Sequence, residues 1–210
     1  MLIDKYLPHY DITEIQEVRV DTPPPVTYPA IRKTDLRDPV IGTLFALREL
    51  PNRLARRLRR EPPPPEHGGA FTFEDLATPE MGWVRLDEDP GVEFVVGAVG
   101  RFWHRDYGWR PIEADRFISF DEPGYAKLAV SFRVQPMGDG QSLLRYEART
   151  GTTDESARTR FRRYWRIIRP GVAVVMRRAL GRIRDEAERR QEALIGPGVS
   201  AMKDELKVTS

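Results

Sequence analysis

Within "GRFWHRDYGWR" (Gly100–Arg110), His104, Asp106 and Tyr107 fall inside four consecutive positions. An imidazole titrates near neutral pH, and a neighbouring carboxylate can orient it. This set could therefore supply a general base, with the tyrosine hydroxyl as acid. The backbone decides between readings. In a strand, His104 and Asp106 share a face and Tyr107 lies on the other; in a hairpin loop, all three meet solvent. No second catalytic signature accompanies them, since the chain has no Gly-x-Ser-x-Gly elbow, phosphate loop or dinucleotide fingerprint. His9, His67 and His104 are far apart and cysteine is absent, so neither a metal site nor a cofactor is expected.

Glu14 and Gln16 raise a different question. "YDITEIQEVRV" (Tyr10–Val20) has the β-branched content of a strand, and alternation sets Tyr10, Ile12, Val18 and Val20 on the face that also carries Glu14 and Gln16. If that face turns inward, the carboxylate and amide need partners, from an arginine or from a ligand. A bulge or fraying would leave them wet.

The elements that must position these groups follow in order. "DTPPP" ends the first strand. A short helix fits Thr27–Thr34, where Pro29 is tolerated only in the first turn. A firmer helix starts at Asp38, with Pro39 at its first position; Pro51 breaks it, and a second, basic helical piece ends near Arg60. "EPPPPEHGG" (Glu61–Gly69) reads as an extended surface loop. Beyond it the period changes to two. A strand, a turn at Asp89-Pro90-Gly91 and a second strand place Val92, Phe94, Val96, Ala98 and Phe102 on one face. In Tyr125–Gln135, Ala126, Leu128, Val130, Phe132 and Val134 oppose Lys127, Ser131 and Arg133. After the hairpin turn "MGDGQ", Leu144, Tyr146 and Ala148 oppose Arg145, Glu147 and Arg149. Such strands predict an antiparallel sheet with one solvated face.

Asp154 or Ser156 can cap a last helix running to about Gln191. Its apolar stripe is Phe161, Trp165, Ile168, Val172, Val175, Met176, Ala179, Ile183 and Ala187, wide enough to lie on a sheet. Pro170-Gly171 predicts a kink, or two helices in series. The expected organisation is one domain over residues 10–192 between tails at 1–9 and 193–210.

Composition limits the partners. The chain has 210 residues, 40% of them hydrophobic, a net charge of +2 and a pI near 9.0, which suit a globular protein better than a dedicated nucleic-acid binder. No apolar run reaches ~20 residues, so no transmembrane helix is expected. The N-terminus lacks the order of a secretory signal, and the "KDEL" at Lys203–Leu206 is followed by four residues, so a cytoplasmic protein is expected. From Ser156 to Arg184 no acid occurs while arginine recurs. These arginines form either a solvated face, neutralised by the sheet or by Asp185, Glu186 and Glu188, or a surface for an anionic partner. No nucleic-acid-binding motif is present, so nucleic acid is not expected; peripheral membrane contact stays open.

The order of elements resembles the helix-grip fold of the START-like, or SRPBCC, superfamily, which includes the polyketide cyclase/dehydrase group. "EVRVDTPPPVTYPAIRKTDLRD" looks like its opening strand, proline corner and first helix. "LDEDPGVEFVVGAVGRFW", "FDEPGYAKLAVSFRVQPMGDGQSLLRYEARTGTTD" and "RFRRYWRIIRPG" look like a bacterial branch of it. Pro29 departs from that pattern and suggests a truncated first helix. The resemblance implies an α+β domain whose curved antiparallel sheet grips the C-terminal helix around a cavity. Members bind lipids, hormones or polyketides, and some catalyse cyclisation or aromatisation.

On this reading the pocket wall would comprise Trp83, Phe94, Phe102, Phe120, Phe132, Tyr146, Trp165, Ile168 and Val172, with Glu14 and Gln16 as polar contacts. The leading expectation is binding of a small, mainly hydrophobic molecule, with Ile41–Arg60 and the proline loop as a gate. One alternative is a cyclase- or aromatase-like enzyme using His104 and Tyr107. Another is an anionic-surface binder using the arginine-rich helix.

Overall fold

Asp139 and Gly140 both take positive φ, 50° and 72°, which is the two-residue hairpin turn that an Asp-Gly pair favours. The turn joins β4 (Ala126–Gly138) to β5 (Gln141–Thr152). On one side β1 (Ile12–Val20) pairs with β5; on the other, β3 (Glu93–Gly100) pairs with β4, and β2 (Trp83–Asp89) with β3. Every pairing is antiparallel, and the order is β1-β5-β4-β3-β2 in one curved sheet. These elements come from a computed structural model that describes residues 1–35, 38, 39, 72, 82–104 and 106–195. Apart from Asp38 and Pro39, the expected helix to Arg60 and the proline loop lie outside the described residues.

The helix α4 (Glu155–Ile195) crosses the inner face of this sheet. Asp154 starts it: one carboxylate oxygen accepts the Ala157 N–H at 2.8 Å, and the other accepts the Gly124 N–H. The helix is continuous through Pro170, not two helices in series. Pro170 and Arg166 are both on the exposed side, so the Arg166 carbonyl left without its helical donor can be hydrated. This sheet and its spanning helix are the α+β helix-grip arrangement expected from the sequence. Among the described residues, no helix is long and apolar enough to cross a membrane.

The short first helix is longer than expected. α2 runs over Pro24–Lys33, with Pro29 inside it and beyond the first turn. The carbonyl that Pro29 fails to donate to belongs to exposed Pro25, where it can be hydrated. Tyr28, Ala30 and Ile31 join the core beside Ala179, Leu180 and Ile183 of α4.

The outer face of the sheet corrects two expectations. It is not solvated throughout, and the residues expected as an N-terminal tail do not trail. α1 (Leu2–Tyr6) and α3 (Ala114–Phe117) cover it, and Ile3, Tyr6, Leu7, Leu86, Val95, Val99, Phe117 and Ala129 form a second core. All eight residues of β3 are therefore buried. Gly97 is required there, because a Cβ would come within 2.7 Å of Leu86 and 2.8 Å of Phe117. Tyr10, expected on the inner face, precedes the strand and lies under the guanidinium of Arg149, 4.7 Å from its ring centroid.

Polar groups tie down this outer layer. Buried Glu93 accepts the N–H groups of Leu2 at 2.9 Å and Ile3 at 3.3 Å, and the Ser131 hydroxyl at 2.7 Å. Arg149, also buried, donates to Glu147 and Asp4 at 2.7 Å each and to the Leu7 carbonyl at 3.2 Å. Lys127, expected in solvent, is half-buried. It donates to the Ile118 carbonyl at 2.9 Å, and burial lowers its pKa.

Ile3 is fully buried, so Ile3→Ala should cost about 2–5 kcal/mol in urea unfolding. A true tail would tolerate the change within about 0.5 kcal/mol.

Candidate functional site between sheet and helix

Strand register sorts the inner face into rows. One row is Gln16, Tyr146, Phe132 and Phe94; the next is Glu14, Ala148, Val130 and Val96; a third is Ile12, Thr150, Leu128, Ala98 and Trp83. The helix is registered against these rows by an ion pair, Arg169 Nε to Glu14 Oε2 at 3.1 Å. Glu14 also accepts from Gln16 at 3.3 Å. An arginine, one of the two partners expected for these inward-facing groups, is therefore present.

The ends of the interface are packed solid. At one end Val20, Val134 and Leu144 meet Ala179, Leu180 and Ile183; at the other, Ala98, Phe102 and Ala126 meet Phe161. Between them burial is incomplete. Val18, Trp83, Leu128, Tyr146 and Ala148 on the sheet are only partly buried, as are Ile168, Val172 and Val175 on α4. The side chains in the Glu14 row are short, which keeps the sheet surface low beneath the helix.

Tyr146 is the polar group of this region. Its ring lies 4.4 Å from that of Phe132, and its hydroxyl makes no hydrogen bond among the described residues. Burial pushes its phenol up to about 12, so at neutral pH it is a protonated donor.

Other expected wall residues divide. Phe94 and Phe132 are fully buried core, with 2% and 0% exposure. Phe102 packs edge-on to Trp109 at 5.7 Å, and Trp165 stacks on Phe161 at 6.1 Å. Phe120 is a correction: it packs in the outer core, edge-on to Tyr125 at 5.6 Å, because the segment after α3 stays on that side. Val18, Leu128 and Ala148 are absent from the expected wall, since their position against the helix follows only from register; Val175 belongs to the expected apolar stripe of α4.

His104, Asp106 and Tyr107 lie in a turn after β3, not in a strand. His104 and Asp106 are exposed. Asp106 accepts the Gly108 N–H at 3.2 Å, and Tyr107, at φ 59°, stacks on Trp109 at 5.2 Å. Asp106 thus serves the turn, and neither it nor His104 lies beneath α4. Among the described residues, no three His, Asp or Glu side chains gather as metal ligands.

Outside the interface, an open groove of about 440 Å³ runs between Ile12 and α4, lined also by Thr159, Arg162, Arg163, Trp165 and Arg166.

No family model and no curated protein matches the chain. Among solved structures it is similar to the Zhui aromatase/cyclase from Streptomyces sp. R1128, at 14% identity over 88% of this chain and 98% of that one, with a TM-score of 0.32. A superposition that loose adds nothing to the fold already established by strand order and helix placement.

The raised phenol has a consequence with a definite sign. Between pH ~10 and ~12 the folded state keeps a proton that the unfolded state loses, so stability falls as pH rises through that window. Relative to Tyr146→Phe, the wild type should lose roughly 2–3 kcal/mol there, read by denaturant unfolding at each pH.

Proposed function

We propose that the chain binds a small, mainly hydrophobic molecule, such as a lipid, polyketide or aromatic metabolite, between the inner sheet face and α4. The observation that carries this is the band of partly buried apolar side chains around Tyr146 and Ala148, set between two fully packed ends. A core built only for stability gains by filling such a band, since each methylene removed from water is worth about 0.8 kcal/mol.

A guest would find an apolar floor of Leu128, Ala148 and Val18 under a ceiling of Ile168 and Val172. Covering ~200 Å² of its surface would yield about 5 kcal/mol before ordering costs. The Tyr146 hydroxyl would orient a carbonyl or hydroxyl, and the Glu14–Arg169 pair would bound the site at the β1 edge. This reading asks for no reaction, and exposed His104 and Asp106 take no part in it.

Native mass spectrometry for a co-purified small molecule tests it directly, together with titration by the neutral apolar dye Nile red. Ala148→Phe should occupy the space and weaken dye binding at least about tenfold, in line with a loss of more than ~1.4 kcal/mol. Wild-type protein that carries no guest and takes up no dye would overturn the reading.

A further inference from the structure

The arginines of α4 do not share one fate. Arg158 pairs with Asp11 and Glu155, Arg169 with Glu14, Arg178 and Arg182 with Asp38, Arg184 with Asp185, and Arg189 and Arg190 with Glu186. Arg162, Arg163 and Arg166 pair with no acid among the described residues, Arg160 has only the Coulombic attraction of Asp154, and all four are exposed. Seven residues of helix, ~10 Å of its length, therefore carry four guanidinium groups that form no ion pair among the described residues. At about 100° per residue Arg163 and Arg166 lie on the side opposite Phe161 and Ile168, with Arg160 and Arg162 on its two flanks. Ile167 stands among them at 81% exposure, the most exposed large hydrophobic residue described.

We infer that this outward face of the first half of α4 docks the protein onto an anionic lipid surface. Each guanidinium can take a lipid phosphate in paired hydrogen bonds. Ile167 reaches the boundary between headgroups and acyl chains, where a protruding apolar side chain gains what water denies it. The groove beside the patch adds Trp165 and Ile12 below a rim of Arg162, Arg163 and Arg166, a setting for one headgroup with its phosphate at the rim. A nucleic-acid backbone would satisfy the arginines, but it offers Ile167 nothing. The inference is independent of a guest under the helix, because the arginines and Ile167 on which it rests are exposed.

Co-sedimentation with phosphatidylglycerol-rich vesicles and with pure phosphatidylcholine vesicles provides the test. The wild type should partition onto the first and not the second, and lose that binding as salt rises. Replacing Arg160, Arg163 and Arg166 together by glutamine should lower partitioning about 100-fold, roughly fivefold per charge. Ile167→Ser should lower it about fivefold while leaving the charges in place. Circular dichroism and melting should be unchanged in both variants, since all the altered side chains are exposed. Equal binding to both vesicle types, or partitioning unchanged in the triple variant, would overturn the inference. So would binding to duplex DNA at the same salt, without vesicle binding, that the triple variant loses.

Discussion

The direction in which α4 leaves the sheet is fixed by one carboxylate. Asp154 accepts N–H groups from Ala157, in the first turn of the helix, and from Gly124, just before β4. These donors hold its pKa below the usual aspartate value. A helix end and a strand entrance are thereby tied at a single point, and a 41-residue helix must follow the line that point sets. Farther along, Phe161 packs beside Phe102, Arg169 reaches Glu14, and Ala179, Leu180 and Ile183 enter the main core. The incompletely buried band lies between the first and last of these, where the Glu14–Arg169 pair spaces helix from sheet at the β1 edge.

The sheet can hold its shape under an incompletely buried band because its other face is closed. Glu93, Glu147 and Arg149 are charged groups inside that closure, and taking charge out of water costs several kcal/mol per ion before partners compensate. Compensation here is extensive: Glu93 has three donors, and Arg149 has two carboxylates and a carbonyl. Such pairs are poor evidence of net stability but good evidence of register. α1 can seat in only one way if Leu2 and Ile3 are to meet Glu93 while Asp4 meets Arg149.

Much of this was legible in the residues. Period-two alternation placed Leu128, Val130 and Phe132 on one face, Asp139-Gly140 marked the turn, and Asp154 marked the start of the last helix. The failures have physical causes. In "EFVVGAVG" both faces are apolar, so alternation cannot reveal that a second layer exists. Proline rules treat Pro29 and Pro170 as breakers, but a lost bond is tolerated where the orphaned carbonyl points to water. The candidate band depends on which short side chains lie side by side. Ala148 and Val130 are eighteen residues apart in sequence and adjacent only through the β4–β5 register. Phe120 reads like any buried aromatic until α3 shows which face it serves.

The helix that covers the sheet has two surfaces under different constraints. Its inner stripe answers to packing, where a lost side chain leaves a cavity. Its outer surface around Arg162, Arg163 and Arg166 carries arginines that form no ion pair among the described residues. Like charges on an exposed helix repel one another by tenths of a kcal/mol at each close pair, and salt screens them beyond about 8–10 Å. Folding therefore tolerates them but does not require them, and the same holds for Ile167, whose exposure forfeits the burial its side chain would otherwise contribute. Two features that cost a little in water, and that coincide on one facet, are both relieved by a surface that is negatively charged at its edge and apolar just beneath.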